Sequence, residues 1–439
     1  MRKEWQKLES RLTKEVENGS KVFFTTTTDI VKWSAISVFI GLSVGFGVAG
    51  CLLLLELAIP YAEAVNPFVF PPFLLLPLVM GFSSFILFKT FKEASGDGTE
   101  EIVCDAVKND EKLRFLPFAL KQAATFLTIV FGGSAGKEAP AGQLGAYISL
   151  LLARVLNLAG HTERIVMVIA GVSAGFAVVF GAPVAAGFFA LEALFAGRIL
   201  YRVLVPAFIS SFAAYWSMHI LNVEYIYHPV SLGLVPGFWE LVNLIKAVAA
   251  GLFFGLVSYL VIIAMNFANN FSRKSLVNPF IKGFAGGILI VILALIFGES
   301  YLGLGLRTIN DALGAEAFFH WYDPLLKTLF TAVTLGFGGS GGFVTPIFFT
   351  GATAGNFFAQ LVDTDIPLYA ALGFVSVLAG STNSPIASII LAAELFGIEA
   401  AHFAAVTASV SYLVSSNKSV FAPEIIETIE KRFKKHIEV

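Results

Sequence analysis

Two glycine-rich segments contain the residues of this chain whose types and spacing could do chemistry. The first reads GGSAGKEAP at 132–140, and the second reads GGSGGFVTP at 338–346, 206 residues later. Proline favours the first turn of a helix, and a glycine-rich loop before such a turn leaves backbone N–H groups free at the positive end of the helix dipole. Each segment therefore predicts a helix N-terminus that can bind an anion.

Glu138 is the one acid within these two segments. When ionised, its carboxylate would occupy the place that an anion prefers, and when protonated it would leave that place. Because acidic residues inside a membrane are usually functional, we predict that Glu138 is a gate and a proton carrier. The alternative is that Glu138 pairs with Lys137 or caps the helix.

The composition predicts that both segments lie in a membrane. The chain of 439 residues is 56% hydrophobic and 14% charged, whereas soluble domains carry about 25% charged residues. Apolar runs long enough to span a bilayer occur at 33–58, 67–88, 165–195, 244–267 and 281–297. Shorter apolar pieces, interrupted by glycine or proline, suit half-helices or tilted helices packed inside protein. These patterns predict an all-α polytopic membrane protein.

Two further blocks return in the same order in the second half. They are PVA at 183–185 with Glu192, which returns as PIA at 385–387 with Glu394, and, more weakly, GDG at 96–98, which returns as GLG at 303–305. One such block could reflect the small residues common in membrane helices, but three in order indicate a duplication. Duplicated, interrupted segments predict a solute site at the interface of two repeats.

The predicted organisation has two membrane repeats and charged ends. Its parts are a cytoplasmic N-terminal helix at 1–29, repeat one at 30–222, a connecting loop at 223–240, repeat two at 241–422 and a cytoplasmic tail at 423–439. Basic residues near both termini favour a cytoplasmic location for both ends, hence a multi-pass protein of the cell inner or plasma membrane. Cys51 and Cys104 are expected to be buried thiols rather than a disulfide.

Several function classes find no support in the residues. The net charge of −2 implies no nucleic-acid partner. A membrane hydrolase would need a serine or acid paired with histidine, and no such spacing occurs. His161 has no second histidine nearby, so no metal site is expected.

The segment GKEAP at 136–140 resembles the GKEGP signature of the CLC family of chloride channels and transporters. GGFVTP at 341–346 resembles that family's GxFxP segment, and the stretches 170–192 and 385–394 resemble two more family stretches. The likeness covers roughly 30–425. It implies two inverted-topology repeats with broken and tilted helices, in a prokaryotic-type member without C-terminal regulatory modules. It also implies a homodimer with one anion pathway per subunit.

The resemblance further implies transport of chloride or a similar small inorganic anion, by a channel or an anion/proton exchanger, with no enzyme activity. No cofactor is expected besides the transported anion and possibly protons. Around the gate Glu138, the residues predicted to bind the anion are Gly96, Asp97, Gly98, Gly136, Lys137, Ala139, Gly342, Phe343, Val344, Thr345 and Phe421.

Two anion ligands of the family are replaced in this chain. Asp97 stands where the family's GSGIP loop has a serine, and an ionised Asp97 would repel an anion at short range. Alternatively, Asp97 caps a helix together with Glu100, in a capping box, so that only backbone N–H groups meet the anion; we favour this interpretation. Phe421 matches a family tyrosine and either lines the pathway or is a core aromatic.

The proton-coupling residues of the family are also incomplete. Proton-coupled members use the second residue of an acidic pair, which here reads Glu192-Ala193. Ala193 cannot carry a proton, and Glu192, duplicated as Glu394, is predicted to be a structural helix-end residue. Thr345 resembles the fluoride-exporting branch, and its hydroxyl could bind an anion or serve the turn. A proton-coupled exporter of fluoride or another anion, such as a small carboxylate, is therefore the alternative function.

Overall fold

The computed structural model describes residues 27–64, 71–90, 115–158, 160–194, 201–223, 240–275, 277–415 and 418–421. These residues form fifteen α-helices, two short 3-10 turns and a single isolated β-bridge. The prediction of an all-α fold is confirmed. The predicted terminal segments and most of the connecting loop lie outside the described residues.

The first half contains seven of the described helices. They are α1 (Thr27–Ala64), α2 (Leu76–Thr90), α3 (Phe115–Val130), α4 (Glu138–Val155), α5 (His161–Phe180), α6 (Pro183–Leu194) and α7 (Tyr201–Ile220). The second half contains α8 (Leu241–Lys274), α9 (Pro279–Phe297), α10 (Leu306–Leu313), α11 (Asp323–Gly336), α12 (Val344–Val362), α13 (Ile366–Thr382), α14 (Pro385–Phe396) and α15 (Ile398–Ser415). Apart from α10, the two series of described helices match helix by helix.

The helices are of the two lengths that the apolar pattern predicts. Among the described residues, α1, α5, α7, α8, α9 and α15 are long and apolar enough to cross a membrane, whereas α2, α3, α6, α13 and α14 are apolar but shorter. The predicted single span at 165–195 is wrong, because Gly181 adopts a left-handed conformation (φ 62°) and Pro183 starts a new helix. Two broken helices, α5 and α6, therefore replace it.

The two halves pack in equivalent ways. Helix α4 packs on α5 as α12 packs on α13, and α1 packs on α7 as α8 packs on α15. Helix α2 also packs on its own counterpart α9, as α6 does on α14. An element that packs on its own counterpart lies beside a local two-fold axis, so the halves meet as two repeats related by rotation.

Paired glycines allow the closest of these helix contacts. A Cβ on Gly145 of α4 would collide with the carbonyl oxygen of Gly171 on α5, and a Cβ on Gly351 of α12 would collide with that of Gly373 on α13. Small residues let membrane helices approach backbone to backbone, which strengthens their van der Waals packing. The same solution occurs once in each repeat.

Cys51 differs from its prediction. It is a free thiol, but it is exposed rather than buried. It lies on a face of α1 that also presents Leu54 and Leu57 outwards, and an apolar outer face is ordinary for a membrane helix. Cys104 lies outside the described residues.

Candidate functional site

The two glycine-rich loops meet at the centre of the molecule. The backbone N–H of Gly136 donates to the carbonyl oxygen of Gly342 at 2.6 Å, and the N–H of Gly342 donates to that of Gly136 at 2.9 Å. This antiparallel bridge joins equivalent residues of the two repeats. Helices α4 and α12 each begin two residues after the bridge, so their N-termini lie side by side.

Threonines from the opposite repeat fix each loop. Sequence reasoning did not single them out. The bonds run from the N–H of Ser134 to Thr334 Oγ1 (3.1 Å), between Ser134 Oγ and Thr331 Oγ1 (2.9 Å), from the N–H of Ser340 to Thr128 Oγ1 (3.3 Å), and between Ser340 Oγ and Thr125 Oγ1 (2.7 Å). Each of these bonds has a counterpart in which the roles of the two repeats are exchanged. The sequence does contain a signal for these residues, since the pair Thr125 and Thr128 recurs 206 residues later.

Glu138 fills the N-terminus of the opposing helix. Its side chain is completely buried, and its carboxylate accepts hydrogen bonds from the backbone N–H of Thr345, at 3.1 Å, and from the Thr345 hydroxyl. Thr345 is in the first turn of α12. The negative group therefore lies where the free N–H groups and the helix dipole favour an anion. Both bonds from Thr345 therefore join the first repeat to α12 of the second.

The local two-fold symmetry is broken at this contact. The residues 206 positions from Glu138 and Thr345 are Val344 and Ala139, and neither has a polar side chain. All four are buried. One repeat therefore contributes the acid and the other contributes the hydroxyl, so the repeat symmetry does not generate a second copy of this contact.

Lys137 directly precedes Glu138 in the chain, but its side chain has a different environment. It is buried and lines an apolar cavity of about 220 Å³ between α1, α3 and α4. Its ammonium is attracted electrostatically by Glu138 and Glu56. Lys137 therefore places a buried basic side chain next to Glu138.

Phe421 packs on the segment that starts α12. Its ring meets the Phe343 ring edge to face, with centroids 5.1 Å apart and an angle of 68° between the planes. Both side chains are buried. The backbone N–H of Val420 donates to the carbonyl oxygen of Ser381 at 2.9 Å and anchors this segment. Phe421 thus adjoins the predicted site, while Gly96, Asp97 and Gly98 lie outside the described residues.

Glu192 has the structural position that its duplication predicts. Its carboxylate accepts from the N–H groups of Ile386 (3.3 Å) and Ala387 (2.7 Å) at the start of α14. In return, Glu394 accepts from those of Val184 (3.0 Å) and Ala185 (2.8 Å) at the start of α6. Each glutamate caps a helix of the opposite repeat, and the neighbouring Ala193 is buried.

A buried lysine supports the site from the second repeat and was also missed. Lys327 donates to the carbonyl oxygens of Tyr301 (3.0 Å) and Gly303 (2.8 Å), and its Nζ lies 5.0 Å from the centre of the Phe349 ring. The N–H of Gly303 then donates to the carbonyl oxygen of Gly132 at 3.0 Å. Lys327 is thus connected, through Gly303, to the loop that carries Glu138. Its repeat partner in the sequence is Lys121.

Comparisons with known proteins agree with this architecture. A family model described as voltage gated chloride channel matches residues 78–416. A chloride/fluoride channel protein of Pseudomonas syringae pv. tomato is 33% identical over 402 residues, which cover 89% of this chain and 86% of that protein. A voltage-gated ClC-type chloride channel of Salmonella typhimurium is 25% identical over 303 residues, which cover 67% of this chain and 71% of that one.

Solved structures show the same fold. A CLC-type fluoride/proton antiporter superposes with a TM-score of 0.80 at 28% identity, covering 90% of this chain and 98% of that one. A slow cyanobacterial Cl−/H+ antiporter superposes with a TM-score of 0.74 at 20% identity, covering 91% and 98%. Among the described residues, no group of three or more histidine, cysteine or acidic side chains could hold a metal.

Proposed function

Because this chain belongs to the voltage-gated chloride channel family, we propose that its anion binds between the N-termini of α4 and α12 whenever the Glu138 carboxylate leaves that position. The protein is a multi-pass membrane protein with the anion transport function of this family. The observation that carries the proposal is the pair of hydrogen bonds from Thr345 to the Glu138 carboxylate. A carboxylate held by a backbone N–H and a hydroxyl stands in for a small anion.

The mechanism is a competition between two negative groups for the same donors. The ionised Glu138 carboxylate binds at the α12 N-terminus and excludes the anion. Protonation removes its charge, so the helix dipoles no longer attract it, and an anion takes the place. Gly136, Lys137 and Ala139 would face the anion from the first repeat, and Gly342, Phe343, Val344 and Thr345 from the second. Phe421 would line the pathway next to Phe343. The segment Gly96, Asp97 and Gly98 would supply further backbone N–H groups to the anion.

The transported anion is chloride or a similar small inorganic anion. A second candidate is fluoride, favoured by the Thr345 hydroxyl at the gate, because a small anion accepts strong hydrogen bonds. The relatives named as a chloride/fluoride channel and as a fluoride/proton antiporter also support it. We further propose that the protein is a homodimer in the cell membrane with both termini in the cytoplasm. We also propose that it needs no cofactor, since the relatives are channels and transporters rather than enzymes.

Anion efflux from liposomes that contain the purified protein, with external pH recorded, tests the proposal. We expect chloride or fluoride to leave in step with proton uptake. In Glu138→Gln, which cannot ionise, we expect proton movement to fall by at least about tenfold, a barrier difference of about 1.4 kcal/mol, while the anion still passes. Unchanged proton coupling in Glu138→Gln would refute the gate. A wild-type protein that moves neither anion would refute the transport assignment.

A further inference from the structure

The turn between α13 and α14 contains buried hydroxyl groups that lack partners. It reads STNSP at 381–385, and a serine follows at 388. Ser381 and Ser388 are completely buried, and their Oγ atoms have no hydrogen-bond partner among the described residues. An unsatisfied buried hydroxyl is costly, and in native proteins it commonly marks an ordered water or a ligand.

The fold does not require these hydroxyls. The equivalent turn of the first repeat reads VFGAP at 179–183, with Ala186 in place of Ser388. It has the same geometry, since Gly181 (φ 62°) and Asn383 (φ 57°) both adopt the left-handed conformation before a proline that starts the next helix. One repeat therefore makes this turn with apolar side chains, and only the other makes it with polar ones.

Because a residue of the opposite repeat caps α14, the hydroxyls of this turn are not needed as helix caps. Ser384 stands at the N-cap of α14, where a serine usually accepts from its own helix, yet its side chain caps nothing. Glu192 accepts those N–H groups instead. The Ser384 hydroxyl pairs with that of Thr382 at 2.5 Å, which adds a third and fourth hydroxyl to the buried cluster.

Other buried hydroxyls in this half are paired. Ser376 bonds Thr407 at 2.7 Å, Ser411 donates to the Ser376 carbonyl at 2.7 Å, and Ser258 lies 3.3 Å from Ser411. These bonds join α8, α13 and α15 and serve helix packing. The turn at 381–388 differs, because two of its hydroxyls have no hydrogen-bond partner in the part of the chain that the structure describes.

The turn adjoins the gate region. The carbonyl of Ser381 accepts from the N–H of Val420 at 2.9 Å, and the next residue, Phe421, packs on Phe343. Phe343 immediately precedes α12, whose first turn holds the Glu138 carboxylate. Lys418 is directed away, towards Tyr259. A short chain of contacts therefore connects the polar turn with the gate.

We propose that ordered water molecules occupy the turn at 381–388 and carry protons to and from Glu138, in place of the inner glutamate that is missing at Ala193. Water fits better than an anion, because a hydroxyl both donates and accepts, and the Glu192 carboxylate at the α14 N-terminus repels negative charge. Each water or hydroxyl accepts one proton and releases another, so no group is consumed. The inference rests on the proposed function, since it supplies protons to the proposed gate.

The first test is direct observation of the water. A crystal or cryo-electron microscopy structure that resolves ordered water should show density within hydrogen-bond distance of Ser381 Oγ and Ser388 Oγ. Empty density there would overturn the proposal whatever the transport assay shows. An anomalous bromide peak at the two serines would also overturn it, because the turn would then be an anion site.

The second test separates proton movement from anion movement. In liposomes, Ser381→Ala combined with Ser388→Ala should lower proton flux about tenfold, a barrier change of about 1.4 kcal/mol, and change anion flux little. Ser411→Ala, which removes a paired hydroxyl of the same half, is the matched control and should keep the coupling. Size-exclusion chromatography shows whether both variants remain folded.

The outcomes distinguish this inference from the proposed function. If the wild type moves anions without protons, or if the double serine variant keeps full coupling, the proton route is wrong and anion transport stands. If the wild type moves no anion, the proposed function is wrong. The proton route is then wrong as well, because there is no gate that it could supply with protons. Water density with a selective loss of proton flux supports the proposal.

Discussion

At the scale of single residues, the proposed gate depends on one contact between unlike partners. Glu138 comes from the first repeat and Thr345 from the second, and the positions equivalent to them are apolar. A hydrogen bond to a charged group contributes about 1.5–3 kcal/mol, so the Thr345 hydroxyl is a large part of what holds the carboxylate in place. In the proposed mechanism, the same hydroxyl is a donor for the incoming anion once the carboxylate has left.

Replacement of this hydroxyl tests which of the two roles dominates. Thr345→Val keeps the shape and the backbone N–H but removes the donor, so we expect the gate to open more often and anion flux at neutral pH to rise several-fold. Thr345→Ser retains the hydroxyl and should behave as the wild type. Liposome efflux at several anion concentrations gives the answer, and a lower flux with a raised KM would mean that the hydroxyl mainly serves the anion.

At the scale of helices, the site is positioned by close backbone contacts. Helix α12, whose N-terminus lies beside that of α4, packs tightly on α13, where Gly351 approaches the Gly373 carbonyl oxygen. Glycine within a helix lowers helix propensity by about 1 kcal/mol, a cost that the tight packing offsets. The chain contains glycines without this role as well, such as Gly50 of α1, around which a Cβ would meet nothing within 4 Å.

A pair of glycine substitutions measures this packing. Gly351→Ala should destabilise the protein by about 1–3 kcal/mol, the usual cost of overpacking a core. Gly50→Ala, in open space within a helix, should be neutral or slightly stabilising because alanine is the better helix former. Thermal unfolding in detergent, followed by size-exclusion chromatography, gives both shifts in Tm. Equal shifts would show that the contact between α12 and α13 is not tight.

At the scale of the whole molecule, the duplication explains why much of the fold could be predicted from the sequence. Recurring glycines, prolines and glutamates indicated two repeats and singled out GGSAGKEAP and GGSGGFVTP, the two loops that meet in the structure. Bonds between repeats were harder to predict, because Thr331 and Lys327 look like ordinary helix residues until their partners are known. The break at Gly181 was missed because apolar composition continues across it. The exposure of Cys51 depends on helix orientation, which apolar periodicity does not determine in a membrane.

The two glutamates that cap helices of the opposite repeat connect the repeats in equivalent ways. Glu192 and Glu394 each accept two N–H groups of the opposite repeat, and loss of an N-cap acceptor costs about 0.5–2 kcal/mol. Because the two sites are equivalent, Glu192→Ala and Glu394→Ala should lower Tm by similar amounts, and the protein that stays folded should keep its proton coupling in both. Thermal unfolding and liposome flux on the same preparations test this symmetry. A loss of coupling confined to Glu192→Ala would contradict it, because Glu192 would then carry protons as well as cap α14.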